Sequence, residues 1–292
     1  MMTIGIAASS SPFDTTLFAA GTLQLSKLGF RILPPKRNLS SPHYLMGSDS
    51  ERSDELHALF CDDGVDAILF ARGGYGAQRI IPLLDAKKIS RHPKPVVGAS
   101  DVTALLTWLR QSCGVPTFYG PVVTQLGKNP SATTLEALAH ALTSKGPLGA
   151  LPSHGAKTLV AGTAEGKLVG GCLSLIATSI GTPYALETRE TILFIEDVGE
   201  RVYAVDRWLT QLKNAGGLNR VRGIVVGSLA PLADETQDMA AMLEDVLGEL
   251  KVPVVTHFPA GHCDPFVTLP LGAEAKLDAQ ADRVALSIAS PI

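Results

Sequence analysis

The first half of the chain alternates short apolar runs with segments of helical periodicity, and this alternation is what most constrains its fold. Strands are expected at 3–8, 65–71 and 94–99, with helical patterns at 14–29 and 101–112. Strand-helix-strand order of this kind favours parallel strands with helices packed on the faces of the sheet. The sequence therefore predicts a doubly wound, mainly parallel α/β sheet for the N-terminal part.

The two helical patterns carry local signals of their own. Asp14 is the expected N-cap of the first helix and Gly29 its C-terminal stop. One face of the second helix is expected to be apolar and is formed by Val102, Leu105, Leu106 and Leu109.

The segment SKGPLGALPSHGAKT is rich in Gly, Pro and Ser and has neither helical nor strand periodicity, which predicts a link between domains. We place an N-terminal α/β domain at 1–145, the link at 146–160 and a smaller mixed α/β C-terminal domain at 161–292. The last part begins and ends with alternating, strand-like patterns and has strands and helices between them. A length of 292 residues suits about two domains.

The composition excludes several classes of protein. With 46% apolar and 18% charged residues the chain predicts a well-packed globular protein. A net charge of −3 gives no electrostatic reason to bind nucleic acid, and no apolar run approaches the ~18 residues of a membrane span. The N-terminus lacks the basic start of a signal peptide, and the four cysteines are scattered without CxxC pairs. We therefore expect a cytoplasmic protein that binds neither nucleic acid nor membrane.

The segment VVGASDVTALL places a serine between a strand and a helix, which is the arrangement of a nucleophile elbow. Gly98 is expected to permit the tight turn, and the N–H groups at the helix start near Asp101 can stabilise an anion beside Ser100. The second glycine of the usual G-x-S-x-G motif is absent, since Val102 occupies that position. At this point an alternative stays open, in which Ser100 only caps the helix.

The glycine-rich segment RGGYG follows the strand at 65–71, at the carboxyl end where ligands of open α/β sheets collect. Its main-chain N–H groups can supply the second donor of an oxyanion hole. The alternative is a phosphate loop. The segment lacks the G-x-x-x-x-G-K-[ST] pattern, and no acidic residue follows at the position of a dinucleotide fingerprint.

A nucleophilic serine needs a base, and two histidines stand out as candidates. His262 follows Gly261 in an irregular loop that can present a side chain, whereas His257 closes an apolar strand and is expected to be structural. The other five are expected at the surface: His43, His57, His92, His140 and His154. His262 is therefore the predicted base.

The base needs a carboxylate to orient it, and the segment ILFIEDVGE supplies candidates. Glu196 is the first polar residue after the apolar run, so it can project from the carboxyl end of a buried strand into a cleft. Asp197 is expected to face the opposite way, because side chains alternate along a strand. Glu200 lies in a turn-like sequence and is expected to be exposed.

Two other kinds of site compete with a serine nucleophile: a cysteine nucleophile and a metal site. Cys172 begins a helix, where a thiol pKa can be lowered, so it is an alternative nucleophile; the other interpretation is a small buried residue. The histidines, Cys and Asp within 257–264 are candidate metal ligands, but their spacing matches no usual zinc motif. The sequence thus predicts no metal and no other cofactor.

The chain carries an ordered set of motifs: SSSPFD, YLMGSDSERSDEL, ARGGYGAQRIIPLLD, VVGASDVTALL, YGPVV, EGKLVGGCLSLI, GTPY, ILFIEDVGERVYAVDRWLTQL and GHCDPFVTLPLGAEAKLD. Together they resemble the serine LD-carboxypeptidases, the muramoyltetrapeptide carboxypeptidases. The resemblance extends over nearly the whole chain, from residue 4 to 280.

The resemblance implies a Ser-His-Glu triad of Ser100, His262 and Glu196, with an oxyanion hole formed by the N–H groups of Gly74 and Asp101. It also implies a cytoplasmic homodimeric enzyme, without a metal, that removes the terminal D-alanine from murein tetrapeptide during peptidoglycan recycling. One position departs from the family, because relatives commonly have asparagine where this chain has Cys172. A substrate contact from that position is therefore in doubt.

The resemblance leaves the substrate open. Some members of the family cleave peptidyl-nucleotide antibiotics of the microcin C type and confer immunity. Two further alternatives are a non-catalytic protein that binds a small ligand and a zinc hydrolase. A carboxypeptidase must also bind a terminal carboxylate, and Arg72 is the candidate for it, with a structural salt bridge as its alternative role.

Overall fold

The computed structural model describes residues 1–36, 43–231 and 236–289. Elements are numbered in chain order. The strands are β1 Thr3–Ala7, β2 Arg31–Leu33, β3 Ala67–Phe70, β4 Val96–Gly98, β5 Thr117–Tyr119, β6 Gly149–Ala150, β7 Lys157–Val160, β8 Gly162–Cys172, β9 Thr191–Glu200, β10 Gly223–Pro231, β11 Val254–Thr256, β12 Leu269–Leu271, β13 Glu274–Ala279 and β14 Val284–Ile288.

The α-helices lie between these strands, and two short 3-10 turns cover Ile81–Leu83 and Ser100–Val102. The helices are α1 Thr15–Lys27, α2 Asp49–Cys61, α3 Ala77–Ile80, α4 Ala86–Ser90, α5 Thr103–Cys113, α6 Val123–Leu126, α7 Ala132–Thr143, α8 Leu173–Thr178, α9 Val202–Asn214 and α10 Thr236–Leu247. Within the described ranges no helix is both long enough and apolar enough to cross a bilayer.

The first sheet has the strand order β12-β5-β4-β3-β1-β2. Its strands β1 to β5 run parallel, as the strand-helix alternation predicts. Strand β12 comes from the far end of the chain and pairs antiparallel with β5, with Leu269 opposite Tyr119. The first sheet is therefore completed by a segment that follows His262 in the sequence.

The second sheet has the order β6-β14-β13-β8-β9-β10-β11-β7. Its four central strands, β8 to β11, are parallel, and antiparallel strands flank them on both sides. Cys172 at the end of β8 pairs with Glu196 in β9, so Glu196 lies where the parallel pairing with β8 ends. The architecture confirms the predicted fold class, a mainly parallel α/β sheet followed by a mixed α/β part.

Two details differ from the expected organisation. The segment 146–160, expected as an unstructured link, contains the short edge strands β6 and β7, which pair with β14 and β11. Edge strands of two and four residues are too brief to show an alternating pattern. The division at 161 also placed Leu269–Leu271 with the second part, whereas the structure pairs it with β5.

Local sequence signals account for the elements that frame the site. Asp14 caps α1, accepting hydrogen bonds from the N–H groups of Thr16 at 2.7 Å and Leu17 at 3.0 Å, and Gly29 follows the helix with a φ of +88°. In α5 the predicted apolar face, which includes Leu105 and Leu109, is fully buried.

One hydrophobic core cluster contains residues of both sheets, including Leu105 of α5, Tyr119 of β5, Phe194 of β9 and Phe266 of the segment before β12. The rings of Tyr119 and Phe194 are 5.3 Å apart, and those of Tyr119 and Phe266 are 5.9 Å apart. Strands β5 and β9, one from each sheet, are thus held together by shared apolar packing.

Candidate active site

Ser100 lies in a tight turn between β4 and α5, as expected for a nucleophile elbow. Its φ is +62°, in the left-handed region that non-glycine residues rarely occupy. Such a conformation costs about 1–3 kcal/mol and persists where the surroundings hold it, often at functional sites. The turn therefore presents the serine side chain at the carboxyl end of the first sheet.

Gly98 has a different role from the one expected. The left-handed residue is Ser100, and Gly98 is not among the residues with positive φ. A Cβ at Gly98 would lie 2.6 Å from Cγ1 of Val102 and 2.9 Å from Cδ2 of Phe70. Gly98 therefore makes room for the packing of the turn onto β3.

The helix-cap role of Ser100 receives no support from the geometry. Ala99 occupies the cap position of the 3-10 turn and Val102 that of α5, and neither makes a side-chain capping bond. Over the described ranges, the hydroxyl of Ser100 forms no hydrogen bond with the protein. Its Oγ would instead be 3.1 Å from a Cβ added at Gly73, so the glycine-rich loop lies directly against it.

Glu196 and His262 are hydrogen bonded to each other. Oε2 of Glu196 accepts from Nδ1 of His262 at 2.8 Å and from the His262 main-chain N–H at 3.0 Å. The Glu196 side chain is fully buried and that of His262 is 20% exposed. Because a carboxylate only accepts, Nδ1 carries the proton, and Nε2 of the neutral ring is left to accept one. This is the arrangement of a general base with its orienting acid.

Gly261 allows this close approach. Its φ is +109°, and an added Cβ would lie only 2.4 Å from Oε2 of Glu196. Any other residue would push the histidine loop away from the carboxylate.

The pKa of His262 is raised above its ordinary value. Burial by itself would lower this pKa, but the hydrogen bond and charge of Glu196, together with the charge of Asp197, outweigh it; Lys128 opposes them weakly. The imidazolium form of His262 is thus stabilised by the two neighbouring carboxylates.

Tyr119 connects the serine turn to this pair. Its hydroxyl accepts the main-chain N–H of Ser100 at 2.9 Å and donates to Oε1 of Glu196. Ser100, Glu196 and His262 therefore belong to one hydrogen-bonded network, although no direct bond joins Ser100 Oγ to His262 in the described residues. The sequence interpretation missed Tyr119; its signal was a polar residue at the end of an apolar strand.

The loop Arg72–Gly76, where one oxyanion donor is expected, lies beside the turn that carries Ser100. Gly74 has a φ of +105°, and an added Cβ there would lie 2.5 Å from Oγ of Ser11. The main-chain N–H groups of Gly74 and Asp101 have no protein acceptor across the described ranges. Two other N–H groups, those of Tyr75 and Ala77, are already bonded to Ser11 and Asp101, which leaves little of the loop for a phosphate.

The Asp101 side chain has a separate role that the sequence did not indicate. Its Oδ2 accepts from the hydroxyl of Ser10 at 2.6 Å and from the N–H of Ala77 at 2.8 Å. Burial raises the pKa of this carboxyl. Asp101 thus ties the glycine-rich loop to the turn that carries Ser100.

Arg72 is exposed and donates a hydrogen bond to the main-chain carbonyl of Pro12. It forms no ion pair within the described residues, so the alternative of a structural salt bridge is not what the structure shows.

Cys172 is buried beside the acidic strand end. Its Sγ lies 3.4 Å from Oδ2 of Asp197, and its N–H donates to Oγ1 of Thr103 at 3.0 Å. Burial and the charges of Asp197 and Glu196 raise its pKa well above the ordinary thiol value, which disfavours a thiolate nucleophile. Asp197 also accepts from the N–H of Ser174, so it faces away from His262 as expected.

The 257–264 segment does not gather metal ligands. His257 is exposed with a φ of +56°, and its Nδ1 lies 3.0 Å from the hydroxyl of Thr256. The Cys263 thiol donates to the carbonyl of Pro265, and burial raises its pKa to about 12. Within the described residues no group of three or more His, Cys, Asp or Glu side chains is placed to hold a metal ion.

A cavity of about 340 Å³ opens beside His262. Its other charged lining groups are Lys128 and Asp264. Asp264 already accepts hydrogen bonds from Ser131 and Thr134, whereas Lys128 forms no ion pair in the described part of the chain. The cavity therefore places the cation of Lys128 close to His262.

Comparison with known families matches both halves of the chain. The LD-carboxypeptidase N-terminal domain matches residues 4–120, and the LD-carboxypeptidase C-terminal domain matches residues 165–277. The chain belongs to the LD-carboxypeptidase family. This confirms the predicted resemblance and supports a peptidase.

Three LD-carboxypeptidase relatives show the range within the family. A probable murein peptide carboxypeptidase of Bacillus subtilis is 36% identical, over 94% of this chain and 88% of the relative. The solved structure of muramoyltetrapeptide carboxypeptidase from Oxalobacter formigenes is 28% identical, with a TM-score of 0.87 over 99% of each chain.

The third relative is the Microcin C7 self-immunity protein MccF of Escherichia coli, 27% identical over 98% of this chain and 93% of MccF. The structure of MccF in complex with aspartyl sulfamoyl adenosine has a TM-score of 0.91, with 28% identity, and covers 99% of this chain and 96% of that one. Fold similarity is thus equally high for relatives with two different names.

Proposed function

We propose that this chain is a serine LD-carboxypeptidase that removes the C-terminal D-alanine from murein tetrapeptide, with Ser100 as nucleophile, His262 as base and Glu196 as its orienting acid. The observation that carries the proposal is the 2.8 Å bond between Nδ1 of His262 and the buried Glu196, next to a serine held in a left-handed turn. The role in peptidoglycan recycling, the cytoplasmic location and the homodimer belong to the same proposal.

The reaction follows serine acyl transfer. Nε2 of His262 takes the hydroxyl proton as Ser100 Oγ bonds to the carbonyl carbon, and Glu196 stabilises the imidazolium. The N–H groups of Gly74 and Asp101 donate to the oxyanion. The C–N bond then breaks, His262 gives the proton to the departing D-alanine amine, and water repeats the attack on the acyl-enzyme with His262 again as base.

A second candidate is cleavage of a peptidyl-nucleotide, supported by the similarity to MccF. Incubating the protein separately with murein tetrapeptide and with a peptidyl-adenylate analogue tests both. Release of D-alanine supports the main proposal. Cleavage of the adenylate without D-alanine release favours the second candidate, and the absence of both reactions contradicts a peptidase of either kind.

The acid limb of the pH profile of kcat/KM should report the titration of His262. Only the neutral imidazole can act as base, and a raised pKa shifts neutralisation to higher pH, so the acid limb should have its midpoint above about 6.5. As control, His257→Asn removes a histidine that bonds only to Thr256 in the described residues, and it should leave the midpoint of the acid limb unchanged. A midpoint below the ordinary imidazole value would contradict the assignment of the base.

A terminal carboxylate needs a cation, and we propose Arg72. Because charged hydrogen bonds contribute about 1.5–3 kcal/mol, Arg72→Met should lower kcat/KM about 10-fold to 100-fold, mainly through KM. It should also abolish the preference of the wild type for a free over an amidated substrate C-terminus. Arg91→Met, at an exposed arginine outside the site, is the matched control. If Lys128→Met removes that preference and Arg72→Met does not, the carboxylate lies in the cavity beside His262.

A further inference from the structure

We propose that Tyr119 is a positioning residue of the active site, whose hydroxyl fixes the Glu196 carboxylate for His262 and at the same time anchors the turn that carries Ser100. The inference rests on the proposed function, since it assigns a role within that serine mechanism.

The direction of the hydrogen bonds around Tyr119 is determined by its partners. The Ser100 main-chain group is an N–H and can only donate, so the phenol oxygen accepts it at 2.9 Å. The single phenol proton is then available for Oε1 of Glu196. The Tyr119 oxygen therefore accepts a hydrogen bond from the Ser100 turn, and the Tyr119 proton is donated to Glu196.

The phenol is a permanent donor. Tyr119 is completely buried, with its ring between those of Phe194 and Phe266. Burial, and after it the charge of Glu196, raise the pKa of Tyr119 well above its ordinary value. The hydroxyl thus keeps its proton throughout the range in which His262 titrates.

Tyr119 also determines which oxygen of Glu196 is left for the histidine. Oε1 is taken by the phenol, and Oε2 accepts both the ring Nδ1–H and the main-chain N–H of His262. A fully buried carboxylate is costly unless donors surround it, and these three hydrogen bonds stabilise its charged form. The Tyr119 bond therefore keeps the carboxylate from rotating away from the imidazole.

On the nucleophile side, the same hydroxyl holds a strained residue. The φ of +62° at Ser100 is tolerated only where other contacts fix it, and the N–H of Ser100 is anchored to Tyr119. Tyr119 belongs to β5, adjacent to β4, which leads into the turn, and Gly98 is its register partner. The anchor is therefore built on neighbouring strands of one sheet.

Charged and titratable side chains from several elements surround the network of Tyr119, Glu196 and His262. Glu196 and Asp197 of β9 raise the pKa of His262, and Lys128 lowers it. The thiols of Cys172 and Cys263 stay protonated, because burial raises the pKa of both. Removing the phenol leaves Glu196 with fewer competing donors, so its charge should hold the His262 proton more strongly and raise that pKa further.

The test is the rate at which a fluorophosphonate labels Ser100, measured by mass spectrometry across pH for wild type and Tyr119→Phe. Labelling requires the serine and its base but not the natural substrate. We expect Tyr119→Phe to label about 10-fold to 100-fold more slowly, from the loss of one hydrogen bond to a charged group. Its acid limb should move to higher pH by about half a unit, with KM for tetrapeptide nearly unchanged.

Tyr184→Phe is the matched control, since it removes a hydroxyl for which the described residues show no hydrogen bond, and its labelling should equal that of the wild type. A second variant keeps the fold intact: Tyr119→3-fluorotyrosine retains the ring and is a stronger donor, so its acid limb should move to lower pH. In a Glu196→Gln background, adding Tyr119→Phe should not move the acid limb further, because that shift acts through Glu196, but it should still slow labelling through the lost anchor of the Ser100 turn.

The outcomes separate the two proposals. If the wild type is not labelled at Ser100, the serine mechanism itself is wrong. If the wild type is labelled and releases D-alanine, but Tyr119→Phe keeps both the wild-type rate and the wild-type acid limb, only the role of Tyr119 is wrong. A Tyr119→Phe variant with a lower melting temperature and unchanged labelling would show a purely structural residue and would also overturn the inference.

Discussion

Ser100→Ala should release D-alanine from murein tetrapeptide about 10⁶-fold more slowly than the wild type, as when the nucleophile of other serine hydrolases is removed. No acyl-enzyme can form without Oγ, so His262 and Glu196 lose the atom on which they act. The fold should persist, because the hydroxyl forms no hydrogen bond in the described part of the chain and alanine keeps the Cβ of the turn.

The measurement is single-turnover release of D-alanine together with thermal unfolding. Ser90→Ala, at the end of α4 and outside the site, serves as control and should retain full activity. Activity of Ser100→Ala within tenfold of the wild type would contradict the nucleophile assignment, and a substrate-derived acyl adduct on another residue would show where it lies instead.

Gly261→Ala should lower kcat/KM by about 10²-fold or more without touching any group that reacts. The added Cβ would lie 2.4 Å from Oε2 and 2.8 Å from Cδ of Glu196, and neither atom can move freely, because Glu196 is fully buried and held by Tyr119. The histidine loop must therefore shift, and the bond between Nδ1 and Oε2 lengthens or breaks.

Gly181→Ala separates this clash from backbone strain. Gly181 has a similar left-handed φ of +87°, but an added Cβ meets no atom within 4 Å. Gly181→Ala should lose stability from backbone strain alone and Gly261→Ala should lose more, whereas only Gly261→Ala should lose activity and displace the acid limb of the pH profile. Equal activity in the two variants would mean that the close approach of Gly261 to Glu196 is unimportant for the reaction.

The sequence predicted most of what depends on neighbouring residues. Features set by residues close together in the sequence are found as expected: the helix cap at Asp14, the glycine at 29 and the apolar face of α5. The fold class and the family are confirmed for the same reason, since both rest on patterns that run along the chain.

The directions of the Glu196 and Asp197 side chains follow from their positions along a strand, because side chains alternate there. The structure puts Glu196 of β9 against His262, with Asp197 facing the other side. Gly98 was expected to permit the tight turn, but the left-handed residue is Ser100. The pattern G-x-S does not show which of its residues adopts the left-handed conformation.

What could not be predicted depends on contacts between distant segments. The Tyr119 bonds join β5 to β4 and to the other sheet, and the Asp101 carboxylate reaches Ser10 from the far side of the glycine loop. Neither contact leaves a local pattern in the chain. The same holds for β12, whose three residues look like any short apolar run.

The return of β12 to β5 limits how such proteins can be recombined. The histidine loop is fixed at one end by β11 in the second sheet and at the other by β12 in the first. A chimera that exchanged everything after the 146–160 segment would bring in a foreign edge strand for β5, the strand that carries Tyr119. The two halves are therefore expected to remain together in evolution. The boundary between the two sheets does not coincide with a single point in the sequence, because β12 belongs to the first sheet.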